Sequence, residues 1–111
     1  MAKEAVYIQK GEILDYYNAG SALTAGTVVV IGNHVGVCAT DIGALETGAV
    51  FVSGVFEMAT VTNASFAIGD VLYWDNSAKN LTKTASSHKV AGMCASVKET
   101  AGAKALVKLN A

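Results

Sequence analysis

A chain of 111 residues and 11.4 kDa has room for one small domain and none for a catalytic domain beside a separate cofactor domain. Apolar residues make up 52% of it, aromatic ones 7% and charged ones only 15%, which is a globular composition with less charge than isolated monomers usually carry, so an oligomer or an assembly component is expected. Eight Lys, no Arg and nine acids leave a net charge of −1 with the lysines scattered from Lys3 to Lys108, and without clustered cations or bidentate Arg no nucleic-acid partner is expected.

The opening Met-Ala-Lys-Glu lacks the apolar core of an export signal, so no secretory precursor is expected and Asn63-Ala64-Ser65 and Asn80-Leu81-Thr82 read as chance glycosylation matches. The longest apolar runs are of the Val28-Val29-Val30-Ile31 kind, far short of the roughly 20 residues a membrane helix needs. No membrane partner is expected. At this mass the folded chain should expose about 5,800 Å².

In chain order, residues 1–10 read as either an N-terminal arm or a first strand, and residues 11–111 as a single β domain. Period-two or solid apolar blocks closed by Gly, Asn, Asp or Ser fall at 5–9, 13–17, 27–31, 35–39, 49–58, 71–74, 81–84, 90–97 and 103–109. The fold class is therefore all-β, a small compact β-barrel or sandwich of about nine short strands with at most short helical turns. Gly32-Asn33-His34 suits a tight hairpin, and a second hairpin is expected through residues 75–80. Residues 21–25 and 63–67 are the two places where a helical turn is expected, because both are Ala-rich and begin with a capping residue. Proline is absent, so sheet edges must be protected by other means, such as a neighbouring subunit. The stretch from Leu23 to Val30 resembles that from Phe66 to Tyr73, and the single occurrence reads as a recurring turn rather than a duplicated domain.

Candidate chemistry is thin. His34, Cys38, His88 and Cys94 could be written as a zinc set, but no close Cys or His pair supplies the knuckle such sites use, and buried packing cysteines are the plainer reading. Cys38, His34 and Asp41 could be nucleophile, base and orienter, yet the turn beside His34 leaves their faces undetermined. Tyr73-Trp74-Asp75 could form an aromatic platform, with core or interface packing favoured, and Tyr16 and Tyr17 share that ambiguity. No Gly-Lys dipeptide occurs, which excludes a P-loop, and no Gly-x-Gly-x-x-Gly opens a helix. No catalytic residue, metal, cofactor or small-molecule substrate is expected.

Two motifs, Gly48-Ala49-Val50-Phe51-Val52-Ser53-Gly54-Val55-Phe56-Glu57 and Gly69-Asp70-Val71-Leu72-Tyr73-Trp74-Asp75, stand with several shorter ones. These are Gly26-Thr27-Val28-Val29-Val30-Ile31-Gly32, Gly36-Val37, Thr40-Asp41-Ile42, Val90-Ala91-Gly92 and Ala105-Leu106-Val107-Lys108-Leu109. Together they resemble, nearly end to end, a family of small tailed-phage capsid cement or decoration proteins. Members are often mislabelled as predicted RecA/RadA recombinases, an activity this chain lacks both the nucleotide loop and the length for. It departs from the family in having Met58 where Pro is usual and His88 where Asn is usual. The resemblance implies a virion structural protein, not an enzyme. It would bind the major capsid protein on the outside of the expanded head, as a homotrimer at local threefold positions, and stabilise the shell against DNA pressure after a stay in the host cytoplasm. The N-terminal stretch, with Glu4, Tyr7, Gln9 and Lys10, is the candidate capsid contact, because it mixes polar and aromatic character before the first Gly turn and could add a strand to a capsid-protein edge. Two other readings remain open: a ligand-binding or enzymatic barrel lined by Trp74, Tyr73, His34 and Cys38, and a head fibre or cell-surface-binding protein.

Overall fold

A computed structural model describes residues 4–62, 64–86 and 88–110. It is an all-β sandwich of two antiparallel sheets. Strands β1 (Ile13–Tyr17), β2 (Val28–Ile31), β3 (His34–Cys38) and β4 (Thr47–Phe51) form the first, in the order β1-β4-β3-β2. Strands β5 (Val55–Ala59), β6 (Val71–Asp75), β7 (Asn80–Thr82), β8 (Lys89–Cys94) and β9 (Lys104–Leu109) form the second, in the order β5-β9-β8-β6-β7. Both expected hairpins are present: Gly32 at φ +59° turns β2 into β3, and residues 76–79 turn β6 into β7.

Three sequence expectations are corrected. Residues 5–9 are no strand but an exposed segment, whereas 49–58 is two strands broken at Val52, Ser53 and Gly54, where Gly54 takes φ +110°. The expected helical turns at 21–25 and 63–67 are β-bridges instead, Leu23 to Ile42 and Phe66 to Lys98; Asn63 itself lies outside the described residues. A capping residue before a few alanines cannot nucleate a helix when reciprocal main-chain bonds to a distant segment are available.

The likeness of the Leu23 and Phe66 segments is not a mere turn solution, because the two sheets repeat one plan. Equating β1, β2, β3 and β4 with β5, β6, β8 and β9 reproduces the strand order, with β7 appended outside β6. The bonds repeat as well. The Gly26 amide donates to Cys38 O and the Cys38 amide to Thr27 O, as Gly69 does to Cys94 O and Cys94 to Asp70 O. Leu23 and Ile42 exchange bonds as Phe66 and Lys98 do, and Val52 donates to Glu12 O as Leu109 donates to Gly54 O. Cys38 faces Val50 across the sheet, and Cys94 faces Val107 in the same way. Sequence shows this plan poorly because the spacing between equivalent residues changes from 43 at Leu23 to 56 at Cys38, the extra length being the β7 hairpin.

Alternation explains the packing of the first unit. Val28, Val30, Val35, Val37 and Phe51 share one face, which lies on the inner face of the second sheet against Met58, Leu72, Trp74, Leu81 and Val107. Val29, Cys38 and Val50 share the opposite face and pack with Ile42, Leu23 and Tyr16 in a smaller core. Asn110 ties the two units, its Nδ2 donating to Val35 O at 3.1 Å and Val52 O at 2.7 Å.

Two equivalent buried polar residues lead to opposite expectations. Asn18 donates through Nδ2 to Ser21 O, Ile42 O and Gly43 O and accepts the Gly20 amide, whereas the hydroxyl of its counterpart Thr60 has no partner among the described residues. Asn18→Ala should therefore lower stability by about 2–4 kcal/mol, and Thr60→Val should raise it by roughly 1 kcal/mol, since only the first strands good acceptors. Urea denaturation of both variants checks this, and a Thr60→Val protein no more stable than the parent would refute the second half.

Candidate interaction surface

The residues proposed for capsid contact all lie on one segment. Residues 4–10 are exposed, and their main chain makes no hydrogen bond to the body among the described residues. The one side-chain tie is Gln9 Nε2 donating to Ile13 O at 3.3 Å. Glu4, Tyr7, Gln9 and Lys10 are all solvated, and the sequence reading omitted their neighbours Val6 and Ile8, 67% and 80% exposed beside Tyr7 at 81%. The segment thus offers exposed apolar side chains and, among the described residues, main-chain amides and carbonyls without partners in the body. The signal was present in the sequence as a short solid apolar run, which also fits an ordinary outer strand.

A second exposed apolar set belongs to the outer face of the second sheet. Val55 pairs with Lys108, Met93 with both Lys108 and Val71, Tyr73 with Val90, and Leu106 with Glu57. Val55, Val71, Val90 and Leu106 are exposed there, beside the ion pair of Lys104 with Glu57 at 3.8 Å. Isolated surface valines need no explanation, but a contiguous patch on one sheet face marks an interaction surface.

The candidate chemical sets are not assembled. Cys38 is buried facing Val50, and burial raises its thiol above the usual range, the opposite of an activated nucleophile. Asp41 Oδ1 accepts the Ala25 amide at 2.8 Å, while His34 sits exposed at the start of β3. Among the described residues no group of three or more His, Cys, Asp or Glu is close enough to hold a metal. Trp74 is core, its indole N–H donating to Asn76 Oδ1 at 3.1 Å, and Tyr16 packs in the smaller core while Tyr17 is exposed. An apolar cleft of about 350 Å³ lies between the sheets, lined by Val28, Val37, Phe51, Phe56 and Met58.

Asp75 shapes the β6–β7 turn. Its Oδ1 accepts the Ala78 and Ser77 amides, and these bonds, with His88 Nε2 at 3.7 Å from Oδ2, hold its carboxyl below the usual carboxylate range. A depressed folded value means that the stabilisation is complete above the unfolded value of about 3.9 and disappears as pH falls through the folded one. Asp75→Asn should thus lower the urea midpoint at pH 6 by an amount that shrinks as pH falls below about 3.9, and a gap that did not shrink in acid would contradict this assignment.

Asp41, Asp70 and Asp75 accept main-chain amides at turns, and the large exposed apolar residues cluster on the N-terminal segment and the open face of the second sheet. The phage cement protein family matches residues 8–109, and the chain belongs to that family. It is accordingly a phage structural protein associated with the capsid. No curated protein and no solved structure matches it.

Proposed function

We propose that this protein binds the outer surface of the expanded phage head as a homotrimer at local threefold positions and stabilises the shell against the pressure of packaged DNA. It acts mechanically and not as an enzyme. A ligand that binds only the assembled lattice stabilises it by mass action, because its binding energy must be lost before the subunits separate, and three joined copies gain further through effective concentration. Before assembly it resides in the host cytoplasm, and its partner on the head is the major capsid protein.

The observation that carries this reading is the arm. An unpaired segment with Val6, Tyr7 and Ile8 exposed is suited to lie along an edge of the capsid protein as an added strand, main-chain bonds supplying affinity and Tyr7 an anchor. Glu4, Gln9 and Lys10 supply polar contacts around it.

Co-sedimentation of the purified protein with expanded, decoration-free heads tests this, with procapsids and isolated capsid protein as controls. Saturable binding to expanded heads alone, with raised thermal resistance of the heads, is the expected result. Binding to none of the three would refute the cement role.

A further inference from the structure

The repeated plan of the two units makes a statement about their faces. Inside the chain, the Val28, Val35 and Phe51 face of the first unit is covered by the inner face of the second. The Phe51 and Phe56 rings meet across that junction at 5.5 Å. The equivalent face of the second unit is the open one that carries Val55, Val71, Tyr73, Met93 and Leu106, because Met93 pairs with Lys108 as Val37 pairs with Phe51. The first unit in turn has an inner face whose far end is unfilled. Leu14, Ile31, His34, Val52 and Asn110 line a largely apolar hollow of about 250 Å³ there, and Leu14 pairs with Val50 as Phe56 pairs with Val107.

We propose that the open face of the second sheet docks on this inner face of the first sheet of a second copy, head to tail, repeating between chains the contact that joins the units within one. Lys108 then lies over Leu14 of the neighbour, as Phe51 lies over Phe56 within the chain. The choice of a second copy as occupant follows from the two faces being complementary by construction, one already buried against the counterpart of the other. Glu57, Lys104 and Lys108 on the docking face give it the mixed character of copies that fold separately and then associate. A head-to-tail contact closes into a ring when its rotation allows. The number of copies, three, rests on the trimer reading above, while the faces do not depend on it.

The test uses the full chain by size exclusion with light scattering over a range of concentrations. Val71→Lys with Leu106→Lys blocks one face and Leu14→Lys the other. All three positions are exposed, 52%, 37% and 42%, and thermal melts confirm folding, with the corresponding Ser variants used should a Lys variant melt early. The parent is expected as a ring oligomer, each blocked variant as a monomer, and their mixture as a 1:1 dimer, which only a head-to-tail contact produces. A monomeric parent, a blocked variant with the parent's mass, or a mixture that stays monomeric overturns the proposal. Head co-sedimentation in parallel separates the readings. A monomer that saturates heads removes this interface alone, and a ring that ignores heads removes the cement role alone.

Discussion

Removing residues 1–10 is expected to weaken binding to expanded heads by about 100-fold or more while leaving the melting temperature of the protein nearly unchanged. The two halves of this expectation have different origins. Stability is spared because the described part of the arm contributes one side-chain hydrogen bond to the body and no buried apolar surface. Affinity suffers because the arm holds three large apolar side chains left exposed among the described residues, and an anchoring Tyr at the centre of an interface is commonly worth 2 kcal/mol or more, about 30-fold by itself. Tyr7→Ala should therefore account for much of the loss, and Lys10→Ala, at the arm's base, for little of it in moderate salt. Titration of labelled protein against a fixed number of heads measures all three. Full binding by the truncated protein would refute the arm as the capsid contact.

Gly92→Ala should be the most damaging single substitution for the fold, at about 3 kcal/mol or more. Gly92 lies where the β6–β8 register shifts, with φ at +155°, and a Cβ there would stand 1.9 Å from Lys108 O and 2.8 Å from the carbonyl carbon behind it. Both atoms are main chain, so relief requires β8 and β9 to separate. That would break the Gly92 and Leu109 pair and expose Val107 and Leu109, each nearly fully buried. For a domain whose whole stability is expected near 5–15 kcal/mol, the loss should appear as a melting temperature lower by 10 °C or more, or as insoluble protein. Gly26→Ala is the control, since Gly26 has φ +90° but open space around it, and should cost only about 1 kcal/mol. Equal costs at the two positions would mean that backbone conformation, not the clash with Lys108, is what Gly92 provides.

Alternation and turn chemistry are local, and so the all-β class, both hairpins and the positions of β1, β6 and β9 to within a residue or so were legible in the sequence. Family membership was legible too, through motifs that cover nearly the whole chain. Val90-Ala91-Gly92 served there only as a pattern, and the carbonyl of Lys108 supplies its reason. The solid apolar run at residues 5–8 could not reveal whether a neighbouring strand pairs with it, because such a block states that a chain can be a strand and not that a partner exists. The tertiary structure shows residues 5–9 outside every strand, with no main-chain bond to the body among the described residues. It also showed the repeat of the two units, hidden in sequence because equivalence lies in hydrogen-bond partners while side chains such as Ile42 and Lys98 have diverged. Which face of each sheet is covered was likewise settled by packing. Val28 and Val71 are alike as residues and equivalent in the plan, yet one lies against the other sheet and the other faces solvent, since the first unit has a neighbour on that side within the chain and the second has none.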